Sequence, residues 1–307
     1  MWSVSDSRVF RRCPRQWYYK HIVASAIAKD EYRRKMYLLS KLQSVSAWRG
    51  QIVDDTISNF VIDRIRRGHK VTLDEAKRVA HKTFERELTF ALQHRRLIGD
   101  GDPSAPDFVA LHSLYYQGSL SQTELDTAQK EIDAALSTLF QLEKVKADLK
   151  AARLLIPQRT LVFQHCGASV RAVPDLIAFF DTRPPLIVDW KVHTFGIREA
   201  WLQLAVYAMA LTRCNAHKDF PIGLKNFSAT DVELIEVQLL TGMTRSYRLD
   251  AEEIEKAELY IADSVNELDS AIDGRKYAQL TEDDFAVTSF SSQCKSCPFR
   301  EVCWRVV

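Results

Sequence analysis

The chain has 307 residues, 46% of them hydrophobic, which is ample for a packed core in one large domain or two small ones. Its six cysteines are spaced as metal ligands rather than as a disulfide framework, so a reducing, cytoplasmic setting is expected. A net charge of +2 says little about partners; no apolar run is long enough to span a bilayer, so no membrane is expected, and residues 1–20 are arginine-rich without the apolar stretch of a signal peptide.

The charge is unevenly distributed. Residues 1–67 hold 14 Lys and Arg against 6 Asp and Glu, whereas residues 231–284 hold 5 against 15. At the N-terminal end Arg8, Arg11, Arg12 and Arg15 are interleaved with Trp17, Tyr18 and Tyr19, and Arg33, Arg34, Lys35, Arg64, Arg66 and Arg67 follow. Cations for phosphates and ring faces for bases are what a single-stranded nucleic-acid path needs. A helix is expected from about 51 to 66, with Ile52, Ile57 and Phe60 turned toward a sheet. Helical patterns at 73–97 and 121–150 follow, broken by Gly99-Asp100-Gly101-Asp102-Pro103.

From about 158 to 191 the composition turns β-branched and aromatic, predicting a hairpin with its turn near Gly167 and then a buried strand ending in Asp189-Trp190-Lys191. The period of two puts Asp189 and Lys191 on one face and Trp190 on the other. If Asp175 lies on the neighbouring strand, its carboxylate faces that of Asp189, and the two can share a hard cation such as Mg²⁺ or Mn²⁺. A helix over 197–213 places Gln203 and Tyr207, four residues apart, on one face. Strands near 232–240 and 245–249 extend the sheet, and a helix over 251–273 leads to the tail. There Cys294, Cys297 and Cys303 stand in C-x2-C-x5-C spacing, and the only cysteine in the N-terminal half is Cys13. Four thiolates from the two ends of a chain make a soft-metal site, an iron–sulfur cluster or a zinc tetrahedron on spacing alone. Cys166 and Cys214 read as ordinary buried thiols.

The ordered set resembles the PD-(D/E)XK nuclease superfamily, in particular its RecB-like branch with an iron–sulfur cluster, which includes AddB-type helicase–nuclease subunits and CRISPR-associated RecB-like exonucleases. The matching residues are Ser5-Asp6-Ser7, Cys13-Pro14-Arg15-Gln16-Trp17-Tyr18-Tyr19, Trp48-Arg49-Gly50, Pro174-Asp175-Leu176-Ile177, Ile187-Val188-Asp189-Trp190-Lys191, Gln203-Leu204-Ala205-Val206-Tyr207 and the terminal cysteines. The resemblance implies an α/β fold, a restriction-endonuclease-like core with a mixed central sheet. It implies one nuclease domain over 1–307, made of N-terminal cluster and DNA-contact helices (1–55), a helical insertion (56–155), a catalytic sheet core (156–250) and a C-terminal helix with the cysteine triplet (251–307). A 4Fe-4S cluster on Cys13, Cys294, Cys297 and Cys303 would clamp the termini.

In that family Asp175 and Asp189 would hold Mg²⁺ or Mn²⁺, and Lys191 would orient the attacking water or stabilise developing negative charge. Gln203 and Tyr207 would border the site and position substrate or catalytic groups. RecB-like enzymes carry a histidine ligand four residues after the glycine that Gly50 matches; this chain has Asp54 there, a carboxylate suited to the same ions. The glycine usual shortly before the first catalytic aspartate is also missing, since Arg171-Ala172-Val173-Pro174 fills that stretch. The expected activity is cleavage of DNA, single-stranded or at ends, with a helicase or another defence or repair protein as partner. The other readings are a DNA-binding subunit that acts only inside a larger helicase–nuclease complex, and a nuclease acting on RNA.

Overall fold

The computed structural model describes residues 1–95, 103–193, 200–215, 217–221 and 227–303. Residues 96–97 of the helix expected over 73–97, residues 99–102 of the expected break and residues 197–199 of the helix expected over 197–213 lie outside them. The chain forms two compact units, one of Met1–Val4, Arg49–Lys82 and Thr127–Val265, the other of Ser5–Trp48, Thr83–Asp126 and Asn266–Val307. The stretch 56–155 is therefore divided between both units.

Among its described residues the first unit is built on seven strands: β1 (Leu154–Pro157), β2 (Leu161–His165), β3 (Ala168–Ala172), β4 (Leu176–Phe179), β5 (Leu186–Lys191), β6 (Glu233–Gln238) and β7 (Met243–Tyr247). Five of them make a mixed sheet in the order β1-β4-β5-β6-β7, in which only β5 and β6 run parallel. The near-continuous apolar run Leu186-Ile187-Val188 suits a central strand covered on both faces, and β5 takes that place. Joining two parallel strands needs a crossover, and the helix Ala200–Arg213 lies on it. Leu204, Ala205, Ala208 and Leu211 are buried on several sides of this helix, as they must be in a helix that packs against β5 and β6 and also against the β2–β3 hairpin.

That hairpin turns at Cys166 and Gly167, both with positive φ (47° and 76°), the two-residue turn whose twist matches its strands. Cys166 is consequently exposed at the tip, which corrects the expectation of a buried thiol; Cys214 is buried. Trp2 adds a short parallel bridge to the hairpin's free edge, donating its N–H to Ser169 O and accepting from Arg171 N, each at 2.8 Å.

The helix expected at 51–66 starts earlier and is not uniform. Val45–Thr56 is α-helical, Ile57–Val61 forms a π turn, and Ile62–Arg66 resumes the α-helix. Ile52 and Ile57 are buried while Phe60 is only half-buried. Thr56 donates its hydroxyl to Ile52 O at 2.7 Å just before the widened turn. The pattern at 121–150 is likewise two helices, Gln122–Gln141 and Glu143–Ala151.

Among its described residues the second unit is helical apart from a two-residue parallel pairing of Leu42–Gln43 with Ala110–Leu111. Its core holds Trp17, Tyr18, Tyr19, Met36, Leu39, Phe285 and Phe299. Tyr18 stacks on Phe285 at 4.9 Å and donates to Leu280 O at 3.2 Å, and Tyr19, 1% exposed, donates to Glu282 at 2.5 Å. These rings are thus core residues rather than a platform for bases, because an aromatic side chain gains more from burying its large apolar area than from an exposed face. Arg15 is buried too and donates to Phe285 O at 3.0 Å, while Arg11 pairs with Glu267 at 2.8 Å and Lys35 with Glu301 at 2.6 Å. Much of the N-terminal positive charge is engaged within the second unit by partners far away in the chain. Among the described residues no helix is long and apolar enough to cross a membrane.

Candidate active site

The first unit brings Asp54, Asp175, Asp189, Lys191, Gln203 and Tyr207 into one region. Leu176 on β4 is opposite Val188 on β5, so Asp175, one residue before β4, is level with Asp189 across the antiparallel ladder and on the same face. Asp175 Oδ2 accepts the Trp190 backbone N–H at 2.8 Å, which ties the first carboxylate to the strand bearing the second. Asp189 is 1% exposed, and Lys191 Nζ stands 2.6 Å from its Oδ2. Lys191 thus claims Oδ2, while Asp189 Oδ1 is buried without a hydrogen-bond donor.

Asp54 reaches the same region from the Val45–Thr56 helix. Its Oδ2 accepts from Gln158 Nε2 at 2.6 Å, while its Oδ1 is buried without a donor. Gln158 lies in the left-handed region (φ 50°) and also donates its backbone N–H to Asp175 O at 3.1 Å. A strained non-glycine residue that touches the Asp54 carboxylate and the backbone carbonyl of Asp175 holds the β1–β2 connection against both segments. No motif marks Gln158 in the sequence, so it escapes a reading by pattern. On the Ala200–Arg213 helix Gln203 Nε2 donates to the Tyr207 hydroxyl at 2.5 Å. Arg49, buried in the same unit, donates to Glu131 and to the carbonyl of Val192, fixing the chain just beyond Lys191. A further buried carboxylate, Glu236 on β6, is in register with Asp189. Its signal in the sequence is a charge inside the apolar run Leu234-Ile235-Glu236-Val237.

The electrostatics follow from burying three carboxylates beside one ammonium. Burial, then Asp55 and Asp189, push the Asp54 carboxyl up to about 6 against the pull of Lys191. Asp175 lies well above the usual carboxylate range, first through burial and then through Asp189 and Asp54. Burial also raises Asp189, with Lys191 opposing and Glu236 adding to the rise. The Tyr207 hydroxyl is held far above its ordinary value by burial and by the charges of Asp189 and Asp175, so it stays a protonated donor beside them.

Raised folded-state pKa values mean that these groups favour the fold at acid pH and that this contribution fades as pH rises from about 4 toward and past 6. The metal-free protein is expected to lose melting temperature over that window, and Asp54→Asn should flatten the slope. Thermal scans at several pH values in chelator check this; an identical slope in the variant would count against the shared field.

Orphaned buried oxygens on Asp54 and Asp189 beside Asp175 form a hard, electron-rich donor set that fits a divalent cation. Among the described residues no group of three or more His, Cys, Asp or Glu side chains is placed to hold a metal ion, here or elsewhere. In the second unit Cys13, Cys294, Cys297 and Cys303 line a single cavity together with Gln16 and Tyr19. Burial first, then the charges of the other three cysteines, push the Cys297 thiol up to about 12, and Cys303 is raised by burial against the pull of Arg15. Four sulfurs close enough to feel one another's charge fit a soft metal centre that would neutralise them.

Two solved structures are similar to parts of this chain. A protein from Eubacterium rectale, whose exonuclease assignment is itself provisional, is 11% identical over 80% of this chain and 86% of its own, with a TM-score of 0.31. The protein SSO0001 is 12% identical over 59% of this chain and 77% of its own, with a TM-score of 0.28. Likeness this low carries no argument. No curated protein matches the sequence. A family model for PD-(D/E)XK nucleases, in contrast, matches residues 1–304, spanning every carboxylate, the lysine and all four cysteines of the two sites. With Asp175 and Asp189-Trp190-Lys191 meeting at paired strand ends as that motif requires, the chain belongs to the PD-(D/E)XK nuclease superfamily.

Proposed function

We propose that the protein is a Mg²⁺- or Mn²⁺-dependent deoxyribonuclease acting on single strands or DNA ends, an exonuclease of the RecB-like type working in repair, recombination or defence in the cytoplasm. The observation that carries the reading is the buried carboxylate pair Asp189 and Asp175, level across two strands, with Asp54 in the same region, one unclaimed buried oxygen on each of Asp54 and Asp189, and Lys191 beside them. A bound divalent ion supplies Lewis acidity that neutralises phosphate charge and makes water a better nucleophile near neutral pH.

The chain's own residues do the rest. Asp54, Asp175 and Asp189 supply the oxygens, with Gln158 and the Trp190 N–H fixing two of them in place. Lys191, at the strand end next to Asp189, places a positive charge where negative charge builds up on the phosphate and can orient the incoming water. Tyr207, a protonated hydroxyl held by Gln203, can donate to the substrate or to a carboxylate it faces. DNA as the substrate, and an end-directed or single-strand mode, rest on the sequence resemblance. A 4Fe-4S cluster on Cys13, Cys294, Cys297 and Cys303 is supported by their shared cavity and their soft donor chemistry.

Labelled single-stranded DNA, duplex DNA and RNA incubated with the protein in Mn²⁺ or Mg²⁺ test the proposal. Shortening of DNA from its ends supports it; cleavage of RNA alone, or none in either metal, overturns it. Asp54 allows a finer check. Asp54→Asn should raise the Mn²⁺ concentration for half-maximal cleavage several-fold, whereas Asp55→Asn, about 100° further round the helix, should not. Equal metal dependence in the two variants would remove Asp54 from the ligand set.

A further inference from the structure

Glu236 is a fourth carboxylate at this site that the superfamily motif does not include. It is 1% exposed on β6, and the parallel register sets it side by side with Asp189, on the face that carries Asp189 and Lys191. Its Oε2 accepts from the Tyr247 hydroxyl at 3.0 Å and its Oε1 accepts from Gln238 Nε2. Those donors are neutral, and no ion pair to Glu236 is formed among the described residues. Arg245 is level with Glu236 on β7 but bonds toward Tyr247 instead, with its Nη1 buried and without an acceptor. A buried carboxylate held only by neutral groups costs free energy unless a cation offsets it. Among the described residues the Lys and Arg side chains facing this strip of sheet are Lys191, already paired to Asp189, and Arg245 on the neighbouring strand; an ion held by the aspartates would add to them.

We propose that Glu236 is a positioning residue of the cation site, pinned by Tyr247 and Gln238 so that its charge deepens the negative potential at Asp189 without ligating the ion. The inference rests on the reading of Asp175 and Asp189 as metal ligands. Both of its oxygens are already engaged, which holds the group on the strand beside Asp189 rather than among the ligands. A unit charge one strand away acts on a dication through a partly buried path, so its removal should be felt in affinity rather than in geometry.

The test is Mn²⁺ binding to the full chain, followed by calorimetry and by electron paramagnetic resonance of the free ion, with no cleavage involved. Glu236→Gln keeps the shape and an acceptor for Tyr247, and it should bind Mn²⁺ on the order of tenfold more weakly, with a melting temperature in chelator equal to or above that of the parent. Saturating Mn²⁺ should restore its kcat with KM for DNA unchanged. Glu236→Asp, which keeps the charge, should bind Mn²⁺ within about twofold of the parent, and Tyr247→Phe, which loosens the group, should fall between the two. Unchanged Mn²⁺ affinity in Glu236→Gln overturns the inference, as does a loss of kcat that saturating metal does not repair. Should Glu236→Gln fail to fold, parent-like affinity in Tyr247→Phe overturns it by itself. If Asp189→Asn binds Mn²⁺ as tightly as the parent, the underlying assignment of the site fails instead.

Discussion

Asp189→Ala and Lys191→Ala are each expected to lower cleavage by on the order of 10² or more, the usual effect of removing a principal electrostatic group from a phosphoryl-transfer site. The two residues form a buried charge pair at 2.6 Å, so each variant removes both a catalytic group and its partner's counter-charge. The fold should survive better than activity does. The Asp189 side chain contacts Lys191 rather than the apolar core, its strand is held by backbone ladders to β4 and β6, and Ile187 and Val188 keep their packing. Relieving a carboxylate that burial already disfavours can even raise stability in the absence of metal. Single-turnover cleavage under saturating Mn²⁺, beside a melting curve and a DNA-binding titration, separates these effects. Parent-like cleavage by both variants would sink the assignment of this site.

Cys13→Ser is expected to abolish cluster retention and to lower the melting temperature by on the order of 10 °C. Cys13 and Cys294 are separated by 281 positions in the chain, and a metal centre joining them closes a loop of nearly full chain length, for which the entropic gain is largest. Without that centre the second unit keeps its aromatic core and the pairs Arg11 to Glu267 and Tyr19 to Glu282, so it should loosen rather than unfold outright. Protein purified anaerobically should be brown and carry about four irons per chain, with iron lost in the variant. Stoichiometric zinc without iron in the parent would replace the cluster with a tetrahedral zinc site. A melting temperature indifferent to Cys13→Ser would show that the cysteines carry no structural load.

The strand ending in Asp189-Trp190-Lys191 was legible because it is short, apolar and bounded, and because a period of two leaves no freedom about which side chains share a face. The hairpin at Gly167 and the helix bearing Gln203 and Tyr207 were legible for similar reasons, as local chemistry decides a tight turn and a helical repeat. The π turn at Ile57–Val61 was not, since one extra residue in a turn leaves the apolar spacing almost unchanged. Cys166 was misjudged because composition alone does not reveal which residue takes the exposed left-handed corner of a hairpin.

The N-terminal aromatic and basic residues mark the limit of reading types without neighbours. Trp17, Tyr18, Tyr19 and Arg15 have the chemistry of a nucleic-acid contact, yet they are buried against Phe285, Leu280 and Glu282, more than 260 positions away in the chain. Whether a ring stacks on a base or on another ring depends on which segment arrives beside it, and nothing local encodes that arrival.

By itself the sequence determined which residue types could do hydrolytic chemistry, their order, and that Asp189 and Lys191 share a face. Only the tertiary structure decided that Asp175 lies level with Asp189, that Asp54 comes into their region with one oxygen unclaimed, that Gln158 bonds Asp54, and that Glu236 stands in register with Asp189. The physical reason is range. Side-chain direction along a strand or helix follows from local backbone geometry, whereas register between strands and the company a buried charge keeps are set by contacts between segments far apart in the chain.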